Sequence, residues 1–235
     1  MSILALQKRE RELGRLRLGT KHPEKNYPIS LDTWRITSTH KQLIDEAAEL
    51  YGGTVAPWGD QWEVITTTEQ LPVVVANQNM AIQQHMEFWQ AVGRVRQCDG
   101  ETCKLTVGDG TYTDVPCLCS DEDDPQCHPS TLVRFYLPDL SALGVGVLTT
   151  TSWNAAAELH ADVEMLAGRA VPVTLGIDKR QVKRKGEPLK KFSVPVLTTK
   201  VSLNQLLAGG QGNLVSPALA GGGVPLSTPS LPPPT

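Results

Sequence analysis

A chain of 235 residues, 40% of them hydrophobic, is long enough for one large domain or two small ones with a real core. Its net charge of −3 excludes whole-molecule attraction to DNA or to an anionic membrane. No apolar run reaches the length of a membrane helix, and Ile3-Leu4-Ala5-Leu6 is too short for a secretory signal, so the chain reads as cytoplasmic, where thiols stay reduced.

Residues 1–28 are basic, with Lys8, Arg9, Arg11, Arg15, Arg17, Lys21 and Lys25 against Glu10, Glu12 and Glu24. The leucines make no single stripe, although a helix over about residues 3–13 fits them. The stretch reads as a solvated arm, or as an arm that meets a partner or phosphate through cations such as Arg15 and Arg17.

Residues 29–97 read as a βαββ half. Residues 33–37 make a strand, and Thr39 with Gln42 suggests a capping box. The helix that follows places Leu43, Ile44, Ala47, Ala48 and Tyr51 on one face and stops at Gly52-Gly53. Residues 61–66 and 71–75 are strands, whereas residues 84–96 fit either strand or helix.

The same order returns over residues 131–208. Residues 132–137 and 144–150 are strands. Ser152 or Asn154 caps a helix with Ala156, Leu159, Val163 and Leu166 inward, ending at Gly168. Residues 171–175 and 192–197 are the strands of a long hairpin. Aligning residues 36–39 with 148–151 puts both helices in step, as a diverged duplication would. The hairpin tip carries Lys179, Arg180, Lys183, Arg184, Lys185, Lys190 and Lys191, with Asp178 and Glu187 opposing. It reads as a solvated ribbon whose charges deter edge pairing, or as a tip that follows a nucleic-acid backbone or an acidic partner helix. A short helix over residues 202–207 precedes a Gly- and Pro-rich stretch, residues 209–235, expected to be a disordered tail.

All five cysteines fall between the two halves, in residues 98–130: Cys98, Cys103, Cys117, Cys119 and Cys127, the last beside His128. Disulfides need an oxidising compartment, and a thiol redox site usually shows C-x-x-C, where this chain has Cys117-Leu118-Cys119. A structural zinc site needs four ligands from separated segments. Cys117 and Cys119 share one side of an extended chain, Cys127 returns after the acidic run Asp121-Glu122-Asp123-Asp124, and Cys98 or Cys103 completes four. Four thiolates leave no position for substrate, so such a zinc would be structural. The whole then reads as an α+β protein with mixed or antiparallel sheets from two βαββ-like halves, an inserted Cys-rich zinc-binding loop and a disordered C-terminal tail.

Motifs for catalysis are weak. His85-x-Glu87 followed by Pro116-Cys117-Leu118-Cys119 approaches the zinc-deaminase pattern, but its cysteines sit two apart where that chemistry needs three. No H-E-x-x-H, G-x-S-x-G, Walker A loop or G-x-G-x-x-G occurs, so no catalytic residue and no small-molecule substrate is assigned.

Several stretches fit together as one pattern: residues 13–19 (Leu-Gly-Arg-Leu-Arg-Leu-Gly), residues 31–35 leading into the helix that ends Tyr51-Gly52-Gly53, Trp58 with residues 61–66, Arg96-Gln97-Cys98-Asp99-Gly100, Pro116-Cys117-Leu118-Cys119, Leu137-Pro138-Asp139-Leu140 and residues 154–159. Together they resemble the recombination directionality factors of actinobacterial phages, the type that works with Streptomyces-phage serine integrases. The resemblance covers about residues 13–207. It implies a non-enzymatic regulator in the bacterial host cell. Such a factor binds the C-terminal, coiled-coil region of a phage serine integrase and switches it from integration to excision, the attL × attR reaction. It meets DNA only through the integrase. The family's cysteine pattern matches Cys98, Cys117, Cys119 and Cys127, leaving Cys103 as an extra or substitute ligand. Interface residues do not carry over; on physical grounds the candidates are Arg15, Arg17, Lys183, Arg184 and Lys185, together with Trp58 or Trp89, although a tryptophan more often belongs to a core. The rival readings are a zinc-containing nucleic-acid-binding protein and a metal-dependent hydrolase or deaminase.

Overall fold

The computed structural model describes residues 11–22, 24–25, 27–76, 81–107, 110–117, 119, 126–183, 186, 189–202 and 204, without the side chains of Val107 and Asp114. The acidic run 121–124, Arg184, Lys185, the tail and most of the expected helices at residues 3–13 and 202–207 lie outside the described residues.

Strand β1 spans Glu12–Lys21 and β2 Pro28–Ser38, followed by helix α1, Lys41–Tyr51. Then come β3 (Val55–Trp58), β4 (Gln61–Ile65), β5 (Leu71–Val75), β6 (Ile82–Gln90), β7 (Gly93–Cys98), β8 (Thr102–Val107) and β9 (Gly110–Pro116). The chain continues through β10 (His128–Tyr136), β11 (Val145–Thr150), helix α2 (Trp153–Leu166), β12 (Pro172–Val182) and β13 (Lys190–Thr198). All belong to one compact unit, residues 1–200, and the mixed α+β class expected from the sequence holds.

The strands form one mixed sheet, in the order β3-β4-β2-β1-β11-β10-β6-β7-β8-β9. A branch leaves β10 through β5 to β12 and β13. Among the described residues β1 against β11 is the parallel pair, and the rest are antiparallel. The branch arises because β10 changes partner along its length: residues 128–133 pair with β6, whereas Phe135 and Tyr136 pair with β5. The β12–β13 hairpin then comes back toward β2, where the Ser193 hydroxyl donates to the Leu31 carbonyl at 3.4 Å.

The solvated arm is corrected by β1. Residues 12–21 are a strand hydrogen-bonded to β2 on one edge and β11 on the other, with Leu13 and Leu16 buried. Gly14 is required there, because a Cβ would stand 2.7 Å from the Thr37 carbonyl oxygen of β2. The ambiguous stretch 84–96 resolves into the β6–β7 hairpin, and Val55–Trp58 is an edge strand, where Pro57 costs no ladder hydrogen bond on its open side. The segment expected as a loop holds two strands, β8 and β9.

Each helix covers the core with the predicted face. Helix α1 buries Leu43, Ile44, Ala47 and Tyr51 and ends at Gly52, with φ +74. The capping box does not form: His40 is the N-cap and gives no side-chain cap. In α2 the cap is Ser152, whose Oγ accepts from the Ala155 N–H at 3.3 Å, and Ala155 is buried in place of Ala156. Both βαββ orders occur in the chain, but their pairings differ. β2 pairs with its own β4, whereas β11 pairs with β1 and β10 while β12 goes to β5. The halves are thus interlocked in one sheet.

Trp34 is the largest fully buried side chain, and its Nε1–H donates to the Glu69 carbonyl at 3.0 Å. Among the described residues, no helix is long and apolar enough to cross a membrane. Trp34→Ala is expected to lower unfolding free energy by about 3–5 kcal/mol in a denaturant titration, and a loss below about 1 kcal/mol would contradict this placement.

Candidate functional site

The cysteines meet where the β7–β8–β9 extension joins the start of β10. Cys98 ends β7 and lies directly opposite Cys103 of β8. The turn between them is tied by Asp99, whose carboxylate accepts the N–H groups of Thr102 at 2.7 Å and Glu101 at 2.9 Å. Those donors hold the Asp99 carboxyl below the usual carboxylate range. Thr102 in turn faces Pro116, the last residue of β9, and the Cys117 N–H donates to the Glu101 carbonyl at 2.8 Å. Cys127 immediately precedes β10, whose His128 pairs with Glu87 of β6.

Two close thiol pairs result. Cys98 Sγ is 3.8 Å from Cys117 Sγ, and Cys119 Sγ is 3.4 Å from Cys127 Sγ. Cys98, Cys103 and Cys127 are buried, and Cys117 and Cys119 are half-buried. Burial raises the thiol pKa of Cys98 and Cys103, and it pushes Cys127 up to about 12, with the Cys119 hydrogen bond adding to the shift. Arg96 of β7 reaches in, with Nη1 3.6 Å from Cys119 Sγ. Its guanidinium lies 5.3 Å over the Phe88 ring, and its buried Nε makes no hydrogen bond among the described residues. The described cysteines form no disulfide, and no three His, Cys, Asp or Glu side chains among the described residues already stand as a metal cage.

The sequence-assigned cations have different surroundings. Arg15 is exposed and paired with Glu12 at 2.6 Å. Arg17 is half-buried, 5.7 Å over the Trp58 ring, and its pKa is lowered by burial and by Arg15 and Arg35. Arg35, 5% exposed, approaches the same ring at 4.5 Å and is paired with Glu63, at 2.7 Å from its Nε. Trp58 is therefore held among arginines at the surface, not buried in the core. Lys183 is exposed at the end of the hairpin. Lower on the hairpin, Arg180 binds both carboxylate oxygens of Glu158 on α2, at 2.6 and 2.8 Å, and Lys179 binds Glu69 at 2.6 Å.

A further surface was not legible in the sequence. Trp89 (61% exposed) and Trp153 (56% exposed) flank an open groove of about 440 Å³ with Phe88, His128, Pro129 and Thr151. Trp89 was a candidate; Trp153 was not. The available signal was its place next to the Ser152 cap, off the apolar stripe of α2. Glu87 lines the groove, its carboxylate accepting from Trp89 Nε1–H at 3.0 Å and from Arg94 Nη1 at 2.8 Å. Burial raises its pKa, but hydrogen bonds from Trp89, Arg94 and Ser130 bring it below its ordinary value.

Residues 13–200 match the Gp3-like family, described as recombination directionality factor-like. The chain belongs to that family. Its role accordingly lies in the control of DNA recombination. For this recombination directionality factor-like protein the match includes the strand network, the thiols, the aromatic groove and the hairpin, and it stops before residues 201–235. No solved structure matches the chain.

Glu63→Gln in this directionality factor-like protein leaves the Arg35 charge buried without its partner and is expected to cost about 3 kcal/mol in a denaturant titration. An unchanged midpoint would mean that Arg35 is solvated in solution.

Proposed function

We propose that this protein binds a phage serine integrase of the Streptomyces-phage type and switches it from integration to excision. The single observation behind the reading is the family match, which extends over the whole described sheet. The factor binds the integrase's C-terminal region beside its coiled coil and biases which pairings between DNA-bound subunits form. The serine nucleophile is the integrase's, so this chain contributes contacts and no catalytic group. DNA is reached through the integrase, in keeping with a net charge of −3.

Two surfaces support a protein partner. Trp89 and Trp153 offer rigid exposed aromatic area, the kind that anchors interfaces. The cation run Lys183-Arg184-Lys185 in the sequence between β12 and β13, and separately the exposed Arg15 on β1, suit an acidic stretch of coiled coil. Arg17, half-buried, lies over the Trp58 ring.

The deciding experiment is recombination with purified cognate integrase, with and without this protein, on the phage and bacterial sites and on the two hybrid sites. The expected result is suppression of the first reaction and activation of the second; no change in either would sink the reading. In a binding titration, Trp89→Ala with Trp153→Ala is expected to weaken the integrase complex tenfold or more. Lys183→Glu, Arg184→Glu and Lys185→Glu together should give a smaller loss that fades at high salt. Equal affinity in both variants would place the interface elsewhere.

A further inference from the structure

The β7–β8–β9 extension has a physical problem. Among the described residues 93–117, the buried ones are Cys98 and Cys103. Val95, Leu105 and Val115 are at most half-buried, and Tyr112 is exposed. Three strands without an apolar face cannot hold themselves together by burial alone. The chain concentrates all its cysteines at this place, and thiols do not supply that much apolar area.

The sulfur spacing offers an answer. Four thiolates around zinc at Zn–S of about 2.3 Å stand roughly 3.8 Å apart along each tetrahedral edge. Cys98 and Cys117 are 3.8 Å apart, and Cys119 and Cys127 are 3.4 Å apart, so each pair already has nearly one such edge. Arg96 links the two pairs: it stands two residues before Cys98 on β7 and places Nη1 3.6 Å from Cys119 Sγ.

We propose that the two pairs close on one structural zinc ion, with Cys98, Cys117, Cys119 and Cys127 as ligands and Arg96 as the positioning cation beside Cys119. The ion takes the place of the missing apolar core. The Cys98–Cys117 pair joins the end of β7 to the exit of β9, and the Cys119–Cys127 pair joins that exit to the entry of β10. One ion across both pairs therefore staples the extension to the central sheet. Binding deprotonates the four thiols and leaves a net charge of 2− on the cluster, which the Arg96 guanidinium at 3.6 Å from Cys119 Sγ partly offsets. Cys103, opposite Cys98 on β8, is a fifth thiol able to replace Cys98. Thiolate softness selects zinc over the hard cations magnesium and calcium.

The test is a metal measurement on the full chain purified under reducing conditions, and it does not depend on the integrase reading. Native mass spectrometry is expected to show one zinc per chain. Exchange for cobalt(II) should give the absorption of a tetrahedral tetrathiolate. Cys103→Ser should keep the zinc, and Cys119→Ser and Cys127→Ser should lose it. If those two variants fail to fold, the mass and the cobalt spectrum of the unaltered chain decide. Arg96→Met should release zinc to a chelator about tenfold faster, with Arg96→Lys restoring most of the difference. A chain that takes up no zinc when reduced and supplied with zinc chloride overturns the proposal. So does a cobalt spectrum of octahedral type, or recovery of the four cysteines as two disulfides. Equal release rates in the two Arg96 variants and the unaltered chain would remove Arg96 from the site.

Discussion

The sheet depends on one strand being filled on both edges. β1 pairs antiparallel with β2 and parallel with β11, and it joins the N-terminal strands to the rest of the molecule. Every backbone group on such a strand must find a partner on one side or the other. That requirement explains Gly14, where the two backbones come too close for a Cβ, and Gly144, where a Cβ would meet the Arg11 carbonyl oxygen at 2.5 Å. It also explains how a basic stretch becomes central. Leu13 and Leu16 turn inward, while Arg15 turns out to solvent and Arg17 lies along the Trp58 ring.

Charge in this molecule mostly fixes position. Arg35 is locked by Glu63 and closes over Trp58, which sets the edge formed by β3 and β4. Arg180 joins the β12–β13 hairpin to α2, and Lys179 joins it to the loop that follows β4. Beyond these contacts Lys183 is exposed. Tyr51 marks the other end of the same logic. Burial, then Asp139 and Glu46, push its hydroxyl pKa up to about 12.

The thiol cluster and the aromatic groove adjoin each other. Gln126 lines the groove, Cys127 follows it in the chain, and Phe88 of the groove lies under the Arg96 guanidinium that reaches Cys119. The two features share strand neighbours: β6 carries Phe88 and Trp89 of the groove and pairs with β7, which ends at Cys98, and with the start of β10, which follows Cys127.

Some of this was written in the chain itself. The apolar stripes of α1 and α2, the Gly52-Gly53 stop, the Ser152 cap and the clustering of the cysteines follow from residue spacing, because helix period and left-handed backbone are local properties. Strand pairing is not local. The alternation Arg15-Leu16-Arg17-Leu18 was compatible with a strand, but nothing near it in the chain announced partners at residues 28–37 and 145–148. The partner switch along β10 to β5 and the pairing of β5 with β12 were equally invisible, since they join residues about 60 and about 100 positions apart. Residue type and spacing gathered the thiols into one segment, and tertiary pairing chose their neighbours. Cys98 meets Cys117 and Cys119 meets Cys127 because β9 returns beside β8 and β10 begins beside β6.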